Sequence, residues 1–476
     1  MSRDRLWLAI AILLPAFAAT IAPMSTVDLA YQVRAGELML GSLAVQRTDP
    51  FTFTAFGEPW LYQQWGAGVA FALVHGVAGW GGLVVLRVVL VAAAVGFVLT
   101  AVRRWLPPRP AALLALAGFV VGIASLGLRA QLAGIVLFAA VLAVLAWRDE
   151  RPRLTWAIPL LVLAWANLHG SFFLGPAAIA VALVDDLLAR RPGIRRSLLV
   201  LALSLAATCV TPFGPAVWEY ALGIATNGEI TRLITEWQRT LPFSIPGLLF
   251  YLSLAGVAWL VWRAYRDDQL PSWPTLAWLG GLAVLGIYAE RGIAWWAFGA
   301  PVAIAPLFAA LLPEPGRART DPRPLRVLNA GLVLGLVAAV VALQPLWRGS
   351  EALTGPGGLL RDAPPGLARS LAELAGPDDR AVAPQPWASW LEWAAPGVPV
   401  MVDSRVEVVP ASAWVDYTAI VAGGPAALAT LDRIAATVVV MDPVTQSALD
   451  IALRTLGSTW RLAYDDADGA IFTRSR

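Results

Sequence analysis

Two aspartates lie in the longest polar segment of the first 345 residues, directly after the first apolar run. Asp28 comes a few residues after that run, and Asp49 precedes a proline about twenty residues later. A carboxylate at a membrane face can act as a general base toward a hydroxyl group or hold a divalent cation. The structural alternatives are a solvated helix N-terminal acid for Asp28 and an Asp-Pro turn for Asp49. We take Asp28 as the candidate catalytic residue and Asp49 as a candidate substrate-binding residue.

Two arginines stand on the side of the membrane that otherwise carries few cations. Arg129 is alone between two apolar runs, with Gln131 two positions later, and Arg291 follows Glu290. An arginine in such a place indicates an anionic ligand, and a lipid phosphate is the natural one. The alternatives are snorkelling to the interface for Arg129 and a local ion pair with Glu290 for Arg291. All four residues are candidates for substrate binding.

Three further polar or aromatic residues are candidates for a sugar pocket. His169 lies in WANLHGSFFLG, a polar interruption of an apolar stretch, and Glu236 is followed by Trp237 in a second polar connection. An acid beside an indole suits a sugar, because the acid bonds its hydroxyl groups while the ring stacks on its apolar face. A helix–helix turn for His169 and interfacial anchoring for Trp237 are the structural alternatives.

The composition excludes an ordinary soluble protein. The chain of 476 residues is 58% hydrophobic and only 14% charged, whereas soluble domains carry about 25% charged residues. Its single cysteine excludes an intrachain disulfide, and its two histidines exclude a histidine-rich metal centre. Recurring apolar runs predict a polytopic α-helical membrane protein.

Eleven membrane-spanning helices are predicted. Their placement puts five arginine-bearing connections on one side, as expected for the cytoplasmic face. Residues 60–78 are treated as interfacial or re-entrant, since a twelfth full crossing there would reverse this orientation. The predicted spans are roughly 6–23, 80–104, 110–127, 131–147, 154–168, 171–189, 197–213, 245–264, 272–289, 293–313 and 324–346.

The last quarter of the chain has a different composition. From Glu351 onward there are nine arginines and fifteen acidic residues, a net charge of −6, so the rest of the chain carries +9. Predicted strands alternate with helices there, which favours a small α/β domain. The predicted strands are 380–383, 398–402, 436–441, 460–463 and 469–473, and the predicted helices are 411–434 and 443–456. The predicted organisation is a transmembrane domain (1–347) with outer loops 24–79 and 214–244, a linker (348–366), and a soluble extracytoplasmic α/β domain (367–476). This charge pattern does not suit nucleic-acid binding.

Five sequence strings resemble those of a set of poorly characterised bacterial multi-pass membrane proteins. Together they cover outer loops and the tail, and the resemblance extends over nearly the whole chain. The strings are DPFTFTAFGEPWLYQQW (49–65), WANLHGSFFLG (165–175), TPFGPAVWEY (211–220), TEWQ (235–238) and PWASWLEWAAPGVPVMVDSRVEVV (386–409).

In architecture the chain also resembles the GT-C class of integral membrane glycosyltransferases, which includes protein O-mannosyl- and aminoarabinose transferases. The matching features are an Asp soon after the first span, a long first outer loop, many spans and an outer C-terminal domain. The resemblance implies that Asp28 is the catalytic acid. Many such enzymes carry paired acids at this point, whereas this chain has Val27-Asp28-Leu29, so a divalent cation and its ligands stay unassigned.

The resulting hypothesis is a glycosyltransferase at the outer face of a bacterial cytoplasmic (inner) membrane. It would move a sugar from a polyprenyl-phosphate donor to an acceptor glycan, lipid or protein, with the donor chain among membrane lipids and no nucleic acid involved. The phosphate is expected at Arg129 and Arg291, and the polar groups are expected to meet around Asp28. The alternatives are a non-catalytic membrane scaffold and a transporter; the latter is disfavoured because ionisable groups are scarce inside the spans.

Overall fold

The chain forms two compact units in a computed structural model, which describes residues 1–226, 228, 234–312, 321–349, 351, 353–457 and 459–475. We call the first the helical unit: Met1–Ala22, Leu83–Thr226 and Ile234–Trp347. The second, the mixed unit, contains Pro23–Gly82 and Arg348–Arg476. The first polar loop and the tail therefore belong to one compact unit, although the sequence suggested a loop of the transmembrane domain and a separate tail domain.

Long apolar helices make up the helical unit, because a helix satisfies its own backbone hydrogen bonds where water is absent. Several begin with a proline in the first turn, where a missing N–H costs nothing. The helices are Arg3–Ile21, the second part of Trp65–Val102, Pro108–Gly122, Ala130–Ala146, Ile158–Leu168, Leu174–Leu188, Ile194–Thr208, Ala216–Thr226, Ile245–Arg266, Trp273–Tyr288, Ile293–Ala310 and Arg323–Ala342.

Seven helical stretches of the described residues are long and apolar enough to cross a membrane, and Ala130–Ala146 and Trp273–Tyr288 are shorter apolar helices. A helix or part of one lies at each of the eleven predicted positions. The chain is thus mostly helical with several candidate membrane spans, as predicted, while the number eleven stays a prediction. The seven are Arg3–Ile21, Trp65–Val102, Pro108–Ser125, Gly170–Leu188, Ile245–Arg266, Glu290–Ala310 and Arg323–Ala342.

The helix Ile293–Ala310 is the centre of the helical unit. It packs against four other helices and is largely buried, whereas Arg323–Ala342 is mostly exposed. The approach to Pro108–Gly122 is close: a Cβ added at Gly118 would lie 2.5 Å from the backbone oxygen of Ala297. A residue with a side chain would have to push these two helices apart.

The stretch Trp65–Val102 is interrupted rather than continuous. Ala78 has φ −139° and Gly79 has φ +56°, a left-handed value that glycine adopts without strain. The break falls between the ambiguous residues 60–78 and the apolar run predicted from residue 80. The interfacial or re-entrant placement of residues 60–78 stays a prediction.

The mixed unit is built on a four-stranded sheet. Its neighbouring strands are, in order, β3 (Ala381–Val382), β4 (Val438–Met441), β6 (Gly469–Arg474) and β5 (Trp460–Asp466). Strand β3 is parallel to β4, and β4 is antiparallel to β6, which forms a hairpin with β5. All four residues of β4 are buried. The helices are Leu29–Ser42, Pro365–Leu374, Gln385–Ala394, Ala411–Val421, Gly424–Arg433 and Ser447–Thr455.

Two details of this unit differ from the sequence-based expectation. The predicted strand 398–402 makes only isolated bridges, at Val400 to Thr52 and to Ala381. The predicted helix 411–434 is divided at Gly423, whose φ is +78°. A two-stranded parallel sheet also joins β1 (Met24–Ser25) to β2 (Leu360–Arg361), inside the segment predicted to be a linker.

Candidate functional site

Asp28 is held at a fixed place by the segment before it. The Met24 N–H donates to the Leu359 oxygen at 2.9 Å, and the Thr26 hydroxyl donates to the backbone oxygen of Asp362 at 2.8 Å. Asp28 follows at the N-terminus of the helix Leu29–Ser42 and is half-buried. The N-terminus of a helix carries a positive partial charge, so an acidic residue there stabilises the helix.

Asp28 is close to the buried side chain of Tyr31, in the interior of the mixed unit. Burial raises the pKa of the Tyr31 phenol well above its usual range, and the negative charges of Asp28 and Glu407 add to the shift. The Ser404 hydroxyl donates to the backbone oxygen of Val27 at 3.1 Å. Asp28 thus stands at the edge of a buried polar network that runs from Tyr31 to residue 405.

Arg405 is the centre of that network and is only 1% exposed. Its guanidinium donates to Asp403 through Nε at 2.7 Å and forms an ion pair with Asp49 through Nη2 at 2.7 Å. Its Cζ lies 4.5 Å from the ring centre of Trp60 and 4.9 Å from that of Phe51. A buried arginine is tolerated only when its charge is compensated in this way.

Asp49 is therefore part of the interior framework. Besides the ion pair with Arg405, its carboxylate accepts from the Phe51 N–H at 3.2 Å and from the Thr52 N–H at 3.1 Å. This geometry favours the structural alternative for Asp49, while its assignment to substrate binding stays a prediction. Two of the resemblance strings, 49–65 and 386–409, supply the acid and the arginine of this pair.

Arg129 and Glu236 form an ion pair in the helical unit. Nη1 of Arg129 lies 2.7 Å from both carboxylate oxygens, and the two side chains are 14% and 39% exposed. Burial alone would raise the pKa of Glu236, but the charges of Arg129 and Arg291 hold that pKa below its usual value. Glu236 is therefore ionised and partly exposed to solvent, and it lies near both Arg129 and Arg291.

The other predicted residues of the helical unit lie around this pair. Arg291 places its Cζ 5.7 Å from the ring centre of Trp237, and its backbone oxygen accepts from Gln131 Nε2 at 3.3 Å. The Glu290 N–H donates to the Gln238 oxygen at 3.1 Å, which joins the 3-10 helices Thr235–Trp237 and Glu290–Gly292. The structure brings these positions, distant in sequence, into one cluster.

His169 is 8% exposed and is held by the turn that it begins. The Ser171 N–H donates to Nδ1 at 3.2 Å, so the ring proton is assigned to Nε2. Burial lowers the pKa of His169 well below its usual value, and the charges of Arg291 and Arg129 lower it further. The ring is therefore a neutral hydrogen-bond donor, consistent with the structural alternative and with contact to a polar ligand.

Seven predicted residues thus share the helical unit, and two, Asp28 and Asp49, share the mixed unit. The expectation that all of them meet around Asp28 stays a prediction. Within the part of the chain that the structure describes, no group of three or more His, Cys, Asp or Glu side chains is placed to hold a metal ion. The residues of the helical unit are Arg129, Gln131, His169, Glu236, Trp237, Glu290 and Arg291.

Two buried arginines escaped the sequence analysis. Arg405 lies two positions after Asp403 in the predicted soluble domain, and Arg87 lies inside the apolar stretch 80–104. Nη2 of Arg87 donates to the backbone oxygens of Ala19 and Ala22 at 2.6 and 2.5 Å, at the end of the first helix. A lone arginine within an apolar run was the available signal, because such residues are rare and have specific partners.

Comparison with known proteins gives likenesses in structure alone; no protein family model and no curated protein sequence matches the chain. The apo oligosaccharyltransferase of Archaeoglobus fulgidus superposes with a TM-score of 0.58 at 12% identity, covering 100% of this chain and 74% of that one. ArnT from Cupriavidus metallidurans, bound to undecaprenyl phosphate, gives 0.55 at 16% identity, covering 99% and 98%.

A third similar structure is the arabinofuranosyltransferase AftD from Mycobacteria. It has a TM-score of 0.55 and 16% identity, and the match covers 99% of this chain but only 42% of AftD. Identities this low establish the fold alone. The likenesses extend over the whole chain, which therefore has the GT-C-like fold of integral membrane glycosyltransferases.

Proposed function

We propose that the protein is a glycosyltransferase that takes its sugar from a polyprenyl-phosphate donor at the outer face of the bacterial cytoplasmic membrane. The observation that carries the proposal is the whole-chain likeness to three glycosyltransferases, one of them bound to undecaprenyl phosphate. Because fold does not fix chemistry, the roles of individual residues rest on their own geometry. The acceptor is a glycan, lipid or protein of the cell envelope.

Asp28 is the proposed catalytic residue, because it is a half-buried carboxylate at a helix N-terminus shortly after the first candidate span. Acting as general base, it takes the proton of the acceptor hydroxyl, whose oxygen then bonds to the anomeric carbon of the sugar. The bond from that carbon to the phosphate oxygen breaks, and polyprenyl phosphate leaves with the bonding electron pair. Alternatively, Asp28 would hold a divalent cation, which would orient the acceptor hydroxyl.

Arg129 and Arg291 are the proposed phosphate ligands. Two arginines lie near the partly exposed carboxylate of Glu236, and Glu290 is a second acid of the same cluster. An incoming phosphate would share or replace Glu236 at Arg129, since arginine binds phosphate and carboxylate through the same donors. Glu236, Trp237, His169 and the backbone near Gln131 are then available to the sugar.

Asp28→Asn tests the catalytic role. We expect transfer of labelled sugar from a polyprenyl-phosphate donor, measured in isolated membranes, to fall by a factor of about 100 or more, because general-base catalysis contributes about 10²–10⁴. Protein abundance should not change. Glu58→Gln is the matched control, because Glu58 is an exposed acid of the same loop. Wild-type transfer by Asp28→Asn would remove Asp28 from the mechanism.

Sidedness can be tested separately. In a Cys209→Ala background, a cysteine at the exposed position Val444 should react with a membrane-impermeant maleimide in intact spheroplasts, because the tail is proposed to be outside. A cysteine at Arg153, in a predicted cytoplasmic connection, should react only after permeabilisation. The opposite labelling pattern would reverse the proposed orientation.

A non-catalytic scaffold is the second candidate. It is favoured by the single acid at Asp28 and by the ion pair of Arg129 with the chain's own Glu236. A scaffold would retain its cellular role in Asp28→Asn and would not bind undecaprenyl phosphate in native mass spectrometry of the purified protein. The glycosyltransferase would lose its role in that variant and would bind the lipid.

A further inference from the structure

A pocket of about 500 Å³ lies within the mixed unit, lined by residues of segments 34–56 and 377–399. Its size falls in the range of small-molecule sites, which is about 300–1,000 Å³. None of the nine residues proposed above for catalysis or substrate binding lines it. The pocket combines an aromatic side, a charged side and one deeply buried acid.

The aromatic side consists of Phe51, Phe53 and Phe56. Phe51 is buried, and Phe53 has the Arg380 guanidinium over its ring at 5.7 Å. Phe56, in contrast, is 71% exposed. An exposed phenylalanine at the rim of a polar pocket offers an apolar face against which the C–H face of a flat ligand can stack.

The charged side provides both donors and acceptors. Arg34 and Arg380 contribute guanidinium groups, and Asp378 and Asp379 contribute carboxylates. One oxygen of Asp379 accepts from the Gly376 N–H at 2.9 Å, which orients this carboxylate. Carboxylates and guanidiniums with fixed geometry are suited to a ligand with many hydroxyl groups, each of which donates and accepts.

Glu392 lies deepest, on the helix Gln385–Ala394, and is 4% exposed. Its two carboxyl oxygens are shielded from solvent, and its carboxyl group is close enough to that of Asp403 for the two to share a hydrogen bond. Burial raises the pKa of Glu392 well above its usual value, and the nearby carboxylate of Asp403 raises it further. Both effects favour the uncharged form of this acid at the inner wall of the pocket.

We propose that this pocket binds one or two sugar rings of an acceptor glycan, with the hydroxyl groups on Asp378 and Asp379 and a ring face on Phe56. A lipid chain is disfavoured by the charged side, and a phosphate would face three carboxyl groups. The inference rests on the proposed glycosyl transfer and adds to it the class of the acceptor.

The test is saturation-transfer-difference NMR on the full-length protein in detergent. The probes are glucose, galactose, mannose, rhamnose, arabinose, N-acetylglucosamine and glucuronic acid, with their β-linked disaccharides. We expect saturation of at least one probe, and binding weakened about five- to ten-fold in Phe56→Ala, as expected for loss of one aromatic contact. Asp378→Asn should also weaken it, whereas Phe243→Ala, which changes an even more exposed phenylalanine outside the pocket, should not.

The result separates this inference from the proposed function. Asp28→Asn should bind the probe as the wild type does while losing transfer. Normal transfer by Asp28→Asn together with pocket-dependent sugar binding would contradict the catalytic role and keep the pocket. If no probe is saturated, or if Phe56→Ala and Asp378→Asn both bind as the wild type does, the sugar assignment is wrong.

Discussion

Arg405 in the mixed unit and Arg129 in the helical unit are two arginine sites with different surroundings. Arg405 is 1% exposed and meets two carboxylates and the rings of Trp60 and Phe51. The Arg129 side chain is 14% exposed and shares the more open Glu236 with a second cation. The Arg405 site is closed, because its arginine is buried and paired with two carboxylates, whereas the Arg129 site is open, because its paired acid reaches solvent. Burial and the number of carboxylates thus separate a structural arginine from one that can accept a ligand.

The largest expected effect is on the closed site. Arg405→Ala leaves Asp49 and Asp403 buried without their cation, which costs about 3–5 kcal/mol when a buried ion pair is broken. We expect loss of the folded mixed unit, measured as rapid limited proteolysis within residues 365–475. Arg454→Ala is the control, because Arg454 pairs with Asp450 and Asp465 at the surface. Equal resistance of both variants to proteolysis would contradict the structural role of Arg405.

The open site should respond in binding rather than in folding. Arg129→Gln removes a charge-assisted contact worth about 1.5–3 kcal/mol, so affinity for undecaprenyl phosphate should fall roughly 10- to 150-fold at 1.4 kcal/mol per factor of ten. Titration followed by native mass spectrometry measures this. Arg153→Gln, an exposed arginine elsewhere in the helical unit, should bind as the wild type does. If Arg129→Gln lowers the stability of the protein but leaves its affinity for the lipid unchanged, Arg129 has a structural role like that of Arg405.

The smallest expected effect is in the pH dependence of stability. It should have opposite signs for Glu236, which pairs with Arg129, and for Glu392, which lies near Arg405. The lowered pKa of Glu236 gives stability that is present above its unfolded pKa and is lost as the pH falls through the folded value. The raised pKa of Glu392 gives stability that is present below its unfolded pKa and is lost as the pH rises through the folded value.

Glu392→Gln and Glu236→Gln measure this difference. The Tm of Glu392→Gln minus that of the wild type should increase as the pH rises from about 5 to 8, because glutamine imitates the neutral acid. The same difference for Glu236→Gln should be nearly constant over that range. A constant difference for Glu392→Gln would show that this acid is ionised in the folded protein.

Sequence patterns predicted local structure far better than long-range partners. The apolar runs marked the helix positions of the helical unit except Ala216–Thr226, which lies in the predicted loop 214–244, because length and hydropathy are local properties. Residues 398–402 are as apolar as a strand, yet Val400 makes only isolated bridges, which local composition does not determine. The first loop and the tail are joined by the strand pairing of Met24 with Leu360. These strands are only two residues long, so they leave no recognisable sequence pattern.

The candidate site was predictable in part for the same reason. Arg129, Glu236 and Arg291 were each found from an unusual position, and the structure brings them together. Their pairing was not predicted, because 107 positions separate Arg129 from Glu236. Arg405 was missed because its partner Asp49 is far away in the chain and a buried arginine resembles a surface one in sequence.

The parallel pairing of Met24–Ser25 with Leu360–Arg361 has a consequence for biosynthesis. A ribosome makes Pro23–Gly82 early and reaches Arg348 only after the intervening helices, roughly 15 to 50 seconds later at 5–20 residues per second. Until then the early segment has no strand partner, and the Asp49 carboxylate has no arginine to neutralise it. A nascent chain that stalls before the tail should therefore be a substrate for chaperones and membrane proteases.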